Sequence, residues 1–234
     1  MGILDSLISQ HVKRGEMLLS GRSENNGGKK FKVKPFITFS REAGSGGSVI
    51  AKAVAKKMGF KIYHKNLIEM IAKKANKRKA LIASLDRKAL GFTEDIIQAM
   101  LNPDYVSKET YFKNLCKVVA SVAAKGNCVI LGRGANFITS GYGGLHVRVA
   151  APFLVRAGYT AQYEGYTIYE ARERMKAFDK RRKEYIQKYF GKNSSNPNYY
   201  DLVLNTTNFD IEQARDIVID VFKKKFPVWK KGRK

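Results

Sequence analysis

A glycine-rich segment, SREAGSGGS at residues 40–48, lies between a strand-like run and a helical pattern, and it constrains the fold more than any other feature of the chain. Glycines in such a turn allow backbone conformations closed to other residues and let N–H groups approach a phosphate. The helix that begins near Ser48 adds the positive end of its dipole. The segment therefore predicts a P-loop-type α/β domain whose phosphate-binding residues are Ser40, Gly44, Ser45, Gly46, Gly47 and Ser48.

The loop departs from the Walker A pattern G-x-x-x-x-G-K-[ST] at two positions. Arg41 stands where the first glycine belongs, and Gly47 stands where the lysine belongs. That lysine normally bridges the terminal phosphates, so its absence leaves a deficit of positive charge. Arg41 is the nearest cation that can fill it, with Arg133 and the arginines of residues 167–190 as alternatives.

Strand-like and helical segments alternate along the rest of the chain. The strand-like runs are PFITFS, FKIYH, NCVILG, LHVRVA and YDLVLNT, and a closing helix begins after Asp210, which has the side chain of an N-cap. This order predicts a mostly parallel sheet covered by helices on both faces. Residues 65–125 are helical in pattern and too long for a simple crossover, so they predict an inserted helical lobe. Residues 160–195 are mostly helical in pattern.

The predicted domain covers residues 35–226. Residues 1–34 predict a short amphipathic helix followed by a flexible linker, and residues 227–234 a basic tail. The two cysteines, Cys116 and Cys128, lack metal-ligand spacing and read as buried apolar residues.

The net charge of +24, from 44 lysines and arginines against 20 acids, will attract polyanions. We interpret most of these lysines as solvated surface, so nucleic acid is a possible partner that the sequence does not favour. No apolar run is long enough to span a bilayer, and the N-terminus lacks a secretory signal, so we expect a cytoplasmic protein.

Four stretches together resemble the cytidylate kinase-like family, a divergent branch of the nucleoside monophosphate kinases. FITFSREAGSGGSVIAKAVAKKMGFKIYHKNLI is similar to the family's opening strand, loop and helix. NCVILGRGANFI resembles its V-I-x-G-R-G-A segment, AFDKRRKEYIQKYF its D-x-x-R-x-x-Y lid helix, and NPNYYDLVLNTTNFDIEQA its terminal Y-D-L-x-x-N-T segment. The resemblance covers about residues 36–222, and it implies that residues 160–195 form a lid.

The resemblance implies transfer of the ATP γ-phosphoryl, with Mg²⁺, to CMP, dCMP or a similar small phosphorylated acceptor. Arg182 would then reach over the transferring phosphates, Arg181 could share that work, and Asp179 would position the acceptor or the arginine. By spacing alone, Asp179 and Arg182 would fit an ordinary surface ion pair.

The other residues that the resemblance implies lie on the acceptor side. Arg133 would hold the acceptor monophosphate, and Arg156 is a weaker candidate for the same task. His64 stands where the family has aspartate and reads as a partly buried polar residue or a substrate contact.

The metal site is poorly marked in the sequence. The strand NCVILG ends without a Walker B-type acid, which leaves the Ser48 hydroxyl as the candidate Mg²⁺ ligand and Glu42 as a partner through water. Two alternatives to a CMP kinase therefore stay open. One is a catalytically degenerate nucleotide-binding protein with a polyanion-binding surface, and the other is a kinase for a different acceptor. The oligomeric state is not indicated.

Overall fold

The computed structural model describes residues 34–64 and 108–229. Within these ranges the strands are β1 (Ile37–Arg41), β2 (Lys61–Tyr63), β3 (Cys128–Leu131), β4 (Leu145–Ala150) and β5 (Leu202–Asn205). The helices are α1 (Gly47–Met58), α2 (Lys108–Lys125), α3 (Ala135–Ile138), α4 (Phe153–Glu164), α5 (Ile168–Phe190) and α6 (Ile211–Lys225). Our expectations for residues 1–33, 65–107 and 230–234 lie outside the described residues.

The five strands form one parallel sheet in the order β2-β3-β1-β4-β5, which confirms the predicted α/β class. The central strand β1 pairs with β3 from Ile37 opposite Val129, and with β4 from Ile37 opposite Leu145. Because all strands run the same way, the segments that follow them meet at one edge of the sheet, where ligands bind in open α/β folds. The glycine-rich loop follows the central strand at that edge.

One face of the sheet is covered by α1 and α6. These helices bury apolar stripes at helical spacing, which in α1 include Ile50, Val54 and Met58 and in α6 include Val218 and Phe222. Each fully buried side chain of this size contributes about 1.5–3 kcal/mol to the transfer term of folding. The apolar layer fixes the start of α1, and with it the end of the loop.

The other face is covered by α2, α3 and the C-terminal half of α5. Leu115 and Val119 of α2 pack in one cluster with Ile186 and Phe190 of α5. The C-terminal half of the predicted lid helix is therefore part of the core. Its N-terminal half extends toward the glycine-rich loop.

The helix ends follow the sequence signals. Asp210 caps α6 in a capping box with Gln213, which confirms the predicted N-cap, and Thr167 caps α5 in the same way with Glu170. Cys128 is buried and Cys116 is half-buried. No helix in the described part of the chain is long and apolar enough to cross a membrane.

Candidate phosphate-binding site

The glycine-rich loop has the backbone of an anion-binding turn. Gly44 and Gly46 have φ angles of 74° and 71°, a region that favours glycine. Gly46 caps α1 without a side chain, so no side-chain oxygen occupies the first N–H groups of the helix. These N–H groups and the positive end of the helix dipole are directed at the same point in front of the helix, which favours the binding of an anion there.

Hydroxyl groups fix the middle of the loop from inside. Ser45 is buried, and its hydroxyl donates to the Glu42 carbonyl oxygen at 2.9 Å. Thr206, which follows β5, donates from its hydroxyl to the Ser45 carbonyl oxygen at 3.0 Å. The Ser40 hydroxyl accepts from the Tyr200 hydroxyl at 3.3 Å. The side chains of Ser40 and Ser45 are thus engaged by the protein. The Ser40 backbone lies opposite Arg148 in the β1–β4 ladder, and the Ser45 N–H donates to the Glu42 carbonyl oxygen at 3.5 Å, so their phosphate contact stays a prediction.

Arg41 occupies the space beside Gly47. A Cβ atom at Gly47 would lie 2.7 Å from the Arg41 Cβ and 3.0 Å from the Val149 Cβ. Since real Cβ atoms do not approach so closely, a lysine at position 47 is incompatible with Arg41 in its present place. The two departures from the Walker A pattern therefore belong together.

The Arg41 guanidinium lies inside the site. Its Nε donates to the Ser48 hydroxyl at 3.3 Å, and its Nη1 lies so close to Gly132 that a Cβ there would be 2.6 Å away. Burial, followed by repulsion from Arg182 and Arg133, lowers the pKa of Arg41 to about 10. It remains protonated at neutral pH. The Arg41 guanidinium thus lies between Ser48 at the start of α1 and Gly132, which precedes Arg133.

Arg182 reaches the start of the loop from α5. Its Nη1 donates to the Arg41 carbonyl oxygen at 3.2 Å and lies 3.7 Å from Asp179 Oδ1. Burial lowers the pKa of Arg182, Asp179 opposes that shift, and Arg156 adds to it.

Arg133 follows β3 in a left-handed turn. Its φ is 58°, between Gly132 at 81° and Gly134 at 65°. Its guanidinium carbon lies 5.4 Å from the centre of the Tyr185 ring. The turn brings Arg133 to the same edge of the sheet as the glycine-rich loop.

Arg156 and Asp179 bind the loop and each other. Arg156 Nη1 donates at 2.7 Å to the Ala43 carbonyl oxygen and at 2.7 Å to Asp179 Oδ2. Asp179 Oδ1 accepts from the Ala43 N–H at 2.8 Å. The sequence placed both side chains at the acceptor, and that role stays a prediction beside the contacts found here.

Two further predicted residues lie apart from this group. Arg181 is exposed, with its guanidinium carbon 4.7 Å from the centre of the Phe178 ring. His64 is exposed after the edge strand β2, so our expectation of a partly buried residue is wrong. Acceptor contact by His64 stays a prediction.

A pocket of about 290 Å³ opens over the loop. It is lined by residues 41–49 together with Thr160, Glu164, Arg174, Met175, Phe178 and Arg182. From the sequence Arg174 was named only as one of the arginines of residues 167–190, and Phe178 was not named. Their spacing with Arg182, each one helical turn apart, was the available signal, because residues four apart share a helix face.

The carboxylate beside the loop is already paired. Arg148 Nη2 donates to Glu42 Oε1 at 2.9 Å, and Arg156 Nε lies 3.5 Å from Glu42 Oε2. Among the residues the structure describes, no cluster of three or more His, Cys, Asp or Glu side chains could hold a metal ion. The Ser48 hydroxyl at the start of α1 has the chemistry of the P-loop serine that binds Mg²⁺ beside bound phosphates.

Together, the strand order and the glycine-rich loop after the central strand define a P-loop kinase-type α/β domain. The family model of the cytidylate kinase-like family matches residues 36–208, and the chain belongs to that family.

Curated relatives and a solved structure are similar to this chain over different extents. A cytidylate kinase from Pyrococcus horikoshii is 29% identical over 189 residues, which cover 80% of this chain and 88% of that protein. A uronate isomerase from Corynebacterium glutamicum is 28% identical over 141 residues, and the match spans 60% of this chain but only 27% of the isomerase. A crystal structure of an uncharacterized protein from Eubacterium ventriosum superposes with a TM-score of 0.62 at 20% identity, covering 81% of this chain and 99% of that one. The last match supports the fold.

Proposed function

We propose that this protein is a nucleoside monophosphate kinase that transfers the γ-phosphoryl of ATP to CMP, dCMP or a similar phosphorylated acceptor. The observation that carries the proposal is the position of Arg41 and Arg182 in the pocket over the phosphate loop, with Arg133 following β3 at the same edge of the sheet. Holding partly buried guanidinium groups this close together is costly in a folded protein even with Asp179 3.7 Å from Arg182, and a polyphosphate ligand offsets that cost. Family membership and the P. horikoshii cytidylate kinase support the acceptor class.

On the donor side, the loop amides from Gly44 to Ser48 hold the β- and γ-phosphates of ATP. Arg41 supplies the charge that a P-loop lysine normally supplies, and it does so from the other end of the loop. Guanidinium binds phosphate oxygens in bidentate fashion and stays charged when buried, which suits this exchange of residue type.

On the acceptor side, Arg133 holds the monophosphate. An oxygen of that monophosphate attacks the γ-phosphorus, the bond from the γ-phosphorus to the β,γ-bridging oxygen breaks, and ADP leaves with that oxygen. Arg182 stabilises the charge that develops between the two nucleotides, and Arg181 assists from the same helix. Positioning and electrostatic stabilisation supply the rate, because the transferred group needs no covalent partner on the protein.

Magnesium would enter with ATP. Mg²⁺ keeps several waters and substrate oxygens among its ligands, so a site with one protein hydroxyl suits it. Ser48 would supply that hydroxyl. When bound, the ion neutralises charge between the phosphates. Glu42 pairs with two arginines, so we assign its carboxylate to stabilising the loop and not to binding the metal.

An ADP-release assay with ATP, Mg²⁺ and each nucleoside monophosphate tests the proposal. We expect turnover with CMP or dCMP that falls by about 10²-fold or more in Arg182→Ala and Arg133→Ala, the loss typical of a positioned charged group. Lys176→Ala is the matched control, because Lys176 lies exposed on the same helix and pairs only with Glu173 among the described contacts.

Two results would contradict the proposal. Absence of turnover with every acceptor, together with salt-sensitive binding of RNA or DNA, would favour the degenerate nucleotide-binding alternative. Turnover with a phosphorylated acceptor that is not a nucleotide would support the kinase activity but contradict the proposed acceptor class.

A further inference from the structure

The Asp179 carboxylate is directed at the phosphate loop. Oδ1 accepts from the Ala43 N–H at 2.8 Å, and Oδ2 accepts from Arg156 Nη1 at 2.7 Å. Both distances are those of charge-assisted hydrogen bonds. The side chain is 20% exposed, against 61% for Glu184 on the same helix. Both carboxylate oxygens are thus used inside the protein.

The contacts around Ala43 form a closed ring. Asp179 accepts a hydrogen bond from the Ala43 N–H, and Arg156 donates one to the Ala43 carbonyl oxygen at 2.7 Å. The two side chains also pair with each other. The Ala43 residue is therefore held on both sides by one ion pair. A pair of opposite charges leaves no net charge, so the ring does not compete for a phosphate.

The ring sits immediately before Gly44, whose left-handed backbone begins the phosphate-binding turn. A Cβ at Gly44 would lie 2.8 Å from the Arg156 carbonyl oxygen and 2.6 Å from the Thr160 hydroxyl oxygen. The loop therefore lies directly against α4 on one side and is tied to α5 on the other. Movement of Ala43 would displace the first amides that a donor phosphate meets.

We infer that Asp179 is a positioning residue of the donor site, which holds the phosphate loop in its binding conformation through the Ala43 N–H. This inference differs from acceptor contact, which the sequence resemblance implied for Asp179. Its kinetic consequences rest on the proposed kinase activity. Its structural consequence, an ordered loop, does not.

The kinetic test compares Asp179→Ala and Asp179→Asn with Glu184→Gln, an exposed acid on the same helix. For Asp179→Ala we expect the KM for ATP to rise by about tenfold or more, since a charge-assisted hydrogen bond is lost from a partly buried site. The KM for CMP should change by less than about twofold. Asp179→Asn keeps an oxygen for the Ala43 N–H but loses the charge that pairs with Arg156, so its KM for ATP should fall between those of the parent and Asp179→Ala.

The structural test is amide hydrogen exchange of the peptide that covers residues 39–50, measured without nucleotide. Exchange should accelerate in Asp179→Ala and stay at the parent rate in Glu184→Gln. A rise in the KM for CMP with an unchanged KM for ATP would overturn the inference in favour of acceptor contact. A lower melting temperature with unchanged loop exchange would also overturn it, because Asp179 would then stabilise the fold as a whole without ordering the loop. If the parent protein shows no turnover, the proposed function fails while loop exchange still decides the role of Asp179.

Discussion

Arg41 and Gly47 occupy adjoining space at the two ends of the phosphate loop, so that a Cβ at Gly47 would lie 2.7 Å from the Arg41 Cβ. The glycine at the lysine position is therefore a condition for an arginine at the first position. The guanidinium then turns toward Ser48 at 3.3 Å, which brings positive charge back to the site. This pair explains how a loop without its lysine can still serve a polyphosphate.

A substitution at Gly132 tests whether activity depends on the position of the Arg41 guanidinium. In Gly132→Ala the new Cβ would meet Arg41 Nη1 at 2.6 Å and displace it. We expect a loss of kcat/KM by about tenfold or more, because a misplaced catalytic charge costs at least that much. Steady-state kinetics with ATP and CMP measures the effect.

Gly143→Ala is the control for Gly132→Ala. Gly143 shares the left-handed backbone, at φ 72°, but a Cβ there meets nothing within 4 Å. Both variants carry the same backbone strain, of order 1 kcal/mol. Equal losses of activity in the two variants would show that strain alone is responsible and that the guanidinium position is unimportant.

Arg174, one of the arginines of residues 167–190 that the sequence offered as alternative cations for the loop, lines the pocket over it. Its guanidinium carbon lies 4.4 Å from the Tyr166 ring centre and 6.0 Å from that of Phe178. This stacking holds Arg174 at the pocket where the donor phosphates would bind, so Arg174→Ala should raise the KM for ATP by about three- to tenfold. Arg172→Ala, an exposed arginine of the same helix outside the pocket lining, should not. An unchanged KM for ATP in Arg174→Ala would exclude donor contact.

The buried histidine of β4 makes stability depend on pH. His146 Nδ1 lies 2.8 Å from the Thr38 hydroxyl oxygen, and burial lowers the pKa of His146 to about 4 from 6.5, against the pull of Asp201 and with added repulsion from Lys225. The unfolded chain therefore takes up a proton on this residue before the folded protein does. Stability should be fully present above about pH 6.5 and fall as the pH is lowered toward 4, by up to about 1.4 kcal/mol per pH unit.

Urea unfolding at several pH values checks this prediction. In His146→Gln the slope between those pH values should flatten, whatever the variant's absolute stability. A slope identical to that of the parent would assign the pH dependence to other groups.

The order of elements and the loop were predictable because they depend on local signals. The alternation of strands and helices, the glycines of residues 44–47 and the N-cap Asp210 act over a few neighbouring residues, and the structure has them where the sequence placed them. The expected burial of His64 was wrong because exposure after an edge strand depends on the strand order.

Contacts between distant parts of the chain were beyond the sequence. Asp179 and Ala43 are 136 positions apart, and nothing in either segment signals their hydrogen bond. In the sequence, Arg174 is not distinguishable from the neighbouring basic residues of α5. Only the position of α5 over the loop brings Arg174 to the pocket. The sequence shows both departures from the Walker A pattern, Arg41 and Gly47. It does not show that the two residues are linked, because the close contact between their Cβ positions depends on the three-dimensional structure.

The most direct measurement is a double-mutant cycle that restores the Walker A pattern with Arg41→Gly and Gly47→Lys. Arg41→Gly removes the proposed cation and Gly47→Lys forces a side chain against Arg41, so each alone should lower kcat/KM for ATP by about 10²-fold or more. In the double variant the clash with the Arg41 Cβ is gone, and only the Val149 Cβ, 3.0 Å from the new Cβ, has to shift by a few tenths of an ångström. The lysine then regains the charge, so the kcat/KM of the double variant should recover to within about tenfold of the parent. If the losses of the two single variants simply add in the double variant, or if Arg41→Gly is as active as the parent, Arg41 does not take the place of the loop lysine.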